Sequence, residues 1–138
     1  MRFPLALLLS LCLSGAAFAQ ADPKTALLEQ AGFDALSVGQ PQRAADAFRQ
    51  AIAADPKNAR LYLGAGMAAW LEKRDDDART ALEHALALDP KLGEARRFLG
   101  QVYYRQGDLP AAIAAYQALV ASSPDAPQPA ATLERWRR

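Results

Sequence analysis

The chain has 138 residues, with 16 Lys and Arg against 15 Asp and Glu, one His and one Cys. That length suits one domain of about 100–200 residues. The balanced charge provides no basic excess for nucleic acid or an anionic membrane surface. A single histidine and a single cysteine leave almost no nitrogen or sulfur ligands for a metal and exclude a disulfide framework.

Residues 1–19 read MRFPLALLLSLCLSGAAFA: Arg2, an apolar run from Phe3 to Leu13, then small residues closing on Ala17-Phe18-Ala19. A positive start, a short apolar core and an A-x-A close are the marks of a secretory signal peptide. The run is shorter than the about 20 residues a membrane-spanning helix needs. Cleavage is expected after Ala19, with export to the periplasm and no membrane span in the mature chain. Acylation at Cys12 is the alternative, although Leu11 stands where a small residue belongs and Cys12 lies inside the apolar run. If Cys12 leaves with the leader, stability must come from packing alone.

After a short segment, 20–24, the chain repeats itself. Gly32, Gly66 and Gly100 are 34 residues apart, as are Ala44, Ala78 and Ala112. The same interval relates Phe48, Leu82 and Tyr116, and also Pro56, Pro90 and Pro124. Such a period marks a stack of similar units, here 25–58, 59–92 and 93–126. Apolar spacing predicts a first helix in each unit, over Leu27–Leu36, Leu61–Leu71 and Ala95–Tyr104. The polar breaks VGQPQ, EKRDDD and RQGD follow. Second helices are expected over Ala44–Ile52, Ala78–Leu88 and Leu109–Val120, with Asp108 as an N-cap and Pro110 in the first turn. Each Asp-Pro step then ends a unit, because the residue before proline avoids helical angles.

A glycine inside a helix costs about 1 kcal/mol relative to alanine, so a recurring one needs a reason. The expected reason is contact: the glycine and the alanine twelve residues later let two antiparallel helices approach closely.

These residues resemble the tetratricopeptide repeat family. The third unit fits best, with Leu99-Gly100, Tyr103, Ala112, Tyr116 and Pro124. The second has Tyr62, Gly66, Ala78, Ala85 and Pro90, with Ala69 in place of an aromatic; the first has Gly32, Ala44, Phe48, Ala51 and Pro56. The resemblance implies an all-α right-handed α-solenoid of three antiparallel helix pairs. The tail, 127–138, would be a short capping helix held by Leu133 and Trp136, or the start of a longer chain. It also implies a concave groove, lined by first helices, that binds a protein or peptide. The family pattern places Phe33, Leu63, Met67 and Trp70 there as an apolar patch, beside a polar stretch of Arg97, Gln101, Tyr104 and Arg105. The arginines would orient an acidic or carboxylate-bearing part of the partner. The carboxylate clamp of chaperone-binding members is absent, since its positions hold Glu29, Phe33, Gly64, Glu94 and Phe98.

Chemistry finds little support. A Ser-His-Asp arrangement would rest on His84 alone, and Asp75-Asp76-Asp77 suits a helix N-cap and macrodipole better than a metal ion. No glycine-rich phosphate loop follows a strand. The expectation is a protein-binding scaffold or adaptor of the cell envelope with no catalytic residues, metal, cofactor or nucleic acid. The alternatives are an accessory repeat region of an envelope hydrolase or peptidase, and a lipid-anchored assembly factor for pili or the outer membrane.

Overall fold

The computed structural model describes residues 22–125 and 127–138. The expected signal peptide and Cys12 lie outside the described residues. Among the described residues seven helices follow one another: α1 (Pro23–Ser37), α2 (Pro41–Ala54), α3 (Ala59–Leu71), α4 (Asp75–Leu88), α5 (Gly93–Arg105), α6 (Leu109–Ser122) and α7 (Pro127–Arg137). Short turns force consecutive helices to pack as antiparallel hairpins. The hairpins then stack through α2 on α3 and α4 on α5, with α7 closing on α6. The first helices α1, α3 and α5 also touch one another directly, which makes them the inner layer of the solenoid and α2, α4 and α6 the outer one.

The turn within each hairpin recurs in register. Gly39, Lys73 and Gly107 adopt left-handed backbone angles, with φ of 71°, 59° and 83°. In each turn the following amide reaches back five residues: Gln40 to the Ala35 carbonyl at 2.8 Å, Arg74 to Ala69 at 2.9 Å and Asp108 to Tyr103 at 2.9 Å. This is the Schellman closure of a helix C-terminus, which favours glycine because it has no Cβ to clash. Lys73 adopts it with a side chain.

Caps follow sequence where a short polar residue is available. Asp22, Asn58 and Asp108 accept hydrogen bonds from Lys24, Arg60 and Ala111 amides, at the starts of α1, α3 and α6. The Asp75–Asp77 trio departs from expectation. Arg74 occupies the N-cap of α4 without a side-chain bond, and the three aspartates form the first turn. They retain the macrodipole position, but two of them reach the next hairpin: Asp75 accepts from Arg105 and Asp76 from Gln106.

The repeated glycines also pack differently from expectation. The atoms nearest them belong to the large apolar residue sixteen positions on, and at Gly66 the Ala78 carbonyl is in reach as well, 3.4 Å from an added Cβ. A Cβ on Gly32 would lie 2.6 Å from Phe48 Cζ, on Gly66 2.7 Å from Leu82 Cγ, and on Gly100 2.5 Å from Tyr116 Cδ2. Ala44, Ala78 and Ala112 are fully buried beside these contacts. The reason is reach: a long side chain from the second helix fills the volume that the first helix leaves empty. Phe48 and Leu82 are fully buried, each worth about 1.5–3 kcal/mol, which exceeds the propensity cost of one glycine. Gly64 is a fourth such position, lying beneath the Phe48 ring from the neighbouring hairpin.

At the far end, Leu133 is buried and Trp136 inserts between two tyrosines. Its indole stacks on Tyr104, with centroids 4.7 Å apart and 8° between planes, and meets Tyr116 edge-on at 4.5 Å. The helix α7 thus covers the last hairpin as its sequence implies.

Candidate partner-binding face

Aromatic rings on the inner helices are covered by arginines that are themselves paired with carboxylates. The Arg60 guanidinium lies 5.3 Å from the Phe33 ring centre, and its Nε donates to Glu29 at 2.9 Å. Arg97 sits 4.8 Å from the Phe98 ring, with Glu94 3.5 Å away. Arg105 sits 4.9 Å from the Trp70 ring; its Nε donates to Asp75 at 2.9 Å and its Nη2 to the Trp70 carbonyl at 2.9 Å. A planar guanidinium suits this sandwich because it stacks on a ring face while its edge donates to oxygen. Two of the three units join successive hairpins, so they stitch the inner layer together as well as shape it.

The expected groove residues therefore divide. Phe33, Met67, Trp70 and Gln101 are partly buried, each with some surface left open. Tyr104 is 53% exposed, even beneath Trp136. Leu63 is a correction: it is fully buried in the core shared by the second and third hairpins and offers no surface. Arg97 and Arg105 lie beside Glu94 and Asp75 and pair with them. An incoming carboxylate would have to displace one that is already in place.

Trp70 packs edge-on against Phe98 at 5.7 Å, and its indole N–H is buried without a hydrogen-bond partner. Gln101 reaches the Tyr116 hydroxyl at 3.5 Å. Glu29, at a position where the chaperone clamp requires lysine, accepts from both Arg60 and Asn58. The face is apolar and aromatic with Arg60, Arg97 and Arg105 already paired with carboxylates, while the Trp70 indole N–H stays buried without a partner among the described residues.

His84, the sole histidine, stacks flat on Tyr62 at 4.1 Å, and the Tyr62 hydroxyl donates to the Pro56 carbonyl at 2.9 Å. Burial and the hydrogen bond it donates to Glu83 at 2.9 Å push the Tyr103 phenol above its usual pKa. Among the described residues no three His, Cys, Asp or Glu side chains gather around a metal position, and no helix is long and apolar enough to cross a membrane.

Sequence reasoning missed Asp75 as part of this face, and Trp136 as its neighbour. Arg60 and Arg105 lie at groove positions in the repeat pattern, so their location was readable. Their carboxylate partners come from a neighbouring hairpin and carry no signal of their own.

A solenoid of stacked helical hairpins with an apolar inner layer defines a class of interaction domain, and sequence comparison gives the family. The tetratricopeptide repeat model matches residues 30–92 and 76–127, more than half of the chain, and the protein belongs to that family. No curated protein matches it. Among solved structures it is similar to the first TPR of Spaghetti (RPAP3) bound to the HSP90 peptide SRMEEVD, at 21% identity over 83% of this chain and 90% of that one, TM-score 0.79. It is also similar to the Sgt2 TPR domain from Aspergillus fumigatus, at 23% identity over 85% and 79% of the two chains, TM-score 0.79. MamA is 28% identical over 75% of this chain and 61% of that one, TM-score 0.70.

Proposed function

We propose that this protein is a non-catalytic scaffold or adaptor of the cell envelope whose inner face binds a segment of another protein through apolar anchors. The observation that carries the reading is the series Phe33, Met67, Trp70 and Tyr104 on three successive inner helices, each partly open to solvent while the adjoining arginines are already paired. Partly exposed aromatics and a methionine are the residue types that carry binding energy and adapt to a partner's shape. That a similar domain of RPAP3 binds a peptide supports a peptide-binding role, but the clamp residues expected for a chaperone carboxylate are missing here. The partner segment is therefore an extended peptide or amphipathic helix with apolar side chains, held with little dependence on salt.

Export is part of the same proposal and rests on the leader-like residues 1–19. The protein recovered from a periplasmic fraction should begin at Gln20 by intact mass; retention of residues 1–19, or an acylated Cys12, would contradict it. For binding, Met67→Glu and Tyr104→Ala variants should lose a protein captured by the native chain from an envelope extract, with helical circular dichroism preserved. Undiminished capture by both variants, at low and high salt, would refute the inner-face assignment.

A further inference from the structure

We infer that α7 is a removable occupant of a helix-binding seat on the last hairpin, and that a partner's amphipathic helix takes the same seat in exchange. The attachment of α7 is slight. Its 11 residues are too few for a stable helix on their own, since isolated helices of fewer than about 12–15 residues are marginal in water. Among its described side chains only Leu133 is buried. Among the described residues, neither of the two apolar core clusters contains a residue of α7. The helix packs along α6, and Trp136 reaches across to Tyr104 of α5. The seam itself is not filled: an open cleft of about 350 Å³ lies between α6 and α7, bordered by Val120, Ala121, Ala130 and Leu133. Close-packed interiors leave few such gaps. A unit held by so little apolar contact opens locally while the hairpins behind it stay folded.

What α7 leaves behind is shaped for another helix. Its departure bares the Tyr104 ring face on which the Trp136 indole lies flat, the Tyr116 ring that the indole meets edge-on, and the α6 side of the cleft. Tyr116 is only 3% exposed with α7 in place, so its opening to water favours prompt re-covering. Ala130, Leu133 and Trp136 are three positions apart and share one side of α7. The occupant that fits best carries an aliphatic side chain in the place of Leu133 and an aromatic one in that of Trp136. In the place of Ala130 it carries a larger aliphatic, because the cleft there is empty. Such a helix makes the contacts of α7 and fills the volume that alanine leaves open. The seat adjoins the inner face through Tyr104, so its occupant extends the apolar series of Phe33, Met67 and Trp70, and to that extent the inference rests on the inner-face reading.

Fluorescein-labelled peptides that copy residues 127–138 provide the test, with binding read by anisotropy. A full-length Leu133→Ala/Trp136→Ala chain, whose own α7 has lost both anchors, should bind the copy saturably. The native chain should bind it about tenfold more weakly or worse, because its own α7 competes at high effective concentration. A copy with Ala130→Leu should bind about threefold more tightly or better, and one with Trp136→Ala about tenfold more weakly. In hydrogen exchange of the native chain, the amides of α7 should exchange about tenfold faster than those of α6, or more. If the double variant loses its helical signal, the Trp136→Ala chain takes its place with the same ranking of peptides expected. A folded variant that binds no copy, or that binds all three copies alike, would overturn the inference. Equal binding by the native chain, or protection of α7 equal to that of α6, would overturn it too. Should it fall while Met67→Glu still abolishes partner capture, the inner-face reading stands without it.

Discussion

Arg105 closes over Trp70 from the next hairpin, 4.9 Å from the ring centre, while its guanidinium donates to Asp75 and to the Trp70 carbonyl. One side chain thereby ties the end of α5 to the end of α3 and the start of α4. The side chains of Arg105 and Asp75 are only 33% and 22% exposed, so solvent screens this pair less than it would a surface pair.

Arg105→Ala should therefore destabilise the protein by about 1–2 kcal/mol, combining the lost stacking with the lost pairing. Thermal melting should record a fall of several degrees. Arg105→Lys should recover only part of this, because an ammonium keeps the charge but neither stacks nor donates along a planar edge. In a Trp136→Phe background, the fluorescence of Trp70 should shift to the red as its cover is removed.

Gly100→Ala should cost about 2–3 kcal/mol, since its methyl would lie 2.5 Å from Tyr116 Cδ2 and overpacking a filled core is penalised on that scale. Chemical denaturation measures the loss. Pairing it with Tyr116→Leu should return part of it, because a smaller side chain leaves room for the added methyl. If the two effects simply add, the steric account is wrong.

Lys73→Gly should stabilise the fold. Lys73 holds φ at 59°, a conformation that Gly39 and Gly107 adopt at the equivalent turns. Left-handed backbone costs a residue with a side chain about 1–2 kcal/mol, partly offset by the greater entropy glycine loses on folding. The net gain should be about 0.5–1 kcal/mol, read as a higher melting temperature.

Tyr103 supplies a pH dependence. Burial, together with its bond to Glu83, raises its pKa above the usual 10.0. The folded state thus favours the neutral phenol, so this stabilisation is full below the unfolded pKa and is lost as pH rises through the folded one. Stability measured on the alkaline side should fall less steeply for Tyr103→Phe than for the native chain.

How far the sequence reached depends on the range of the interaction involved. The spacing of glycine, alanine, large apolar residue and proline specified three hairpins and their order, because helix periodicity and chain-reversing turns are local properties. Asp108 was readable as a cap for the same reason. Leu63 was misplaced because two sides of one helix are both apolar here: α3 packs against α2 and α4 at once, and the helical period does not say which side stays open. Arg105 was read as free because Asp75, its partner, lies thirty residues away.

The sequence by itself determined a stack of antiparallel helical hairpins, since a period repeated three times leaves each hairpin an apolar side that only a neighbour can cover. Tertiary structure alone decided which residues of the inner layer remain open, which arginines are already matched, and that the glycines receive Phe48, Leu82 and Tyr116. Those outcomes follow from where the second helix of one hairpin and the first of the next come to rest. That placement depends on side-chain volume across the interface, a quantity that no single stretch of sequence contains.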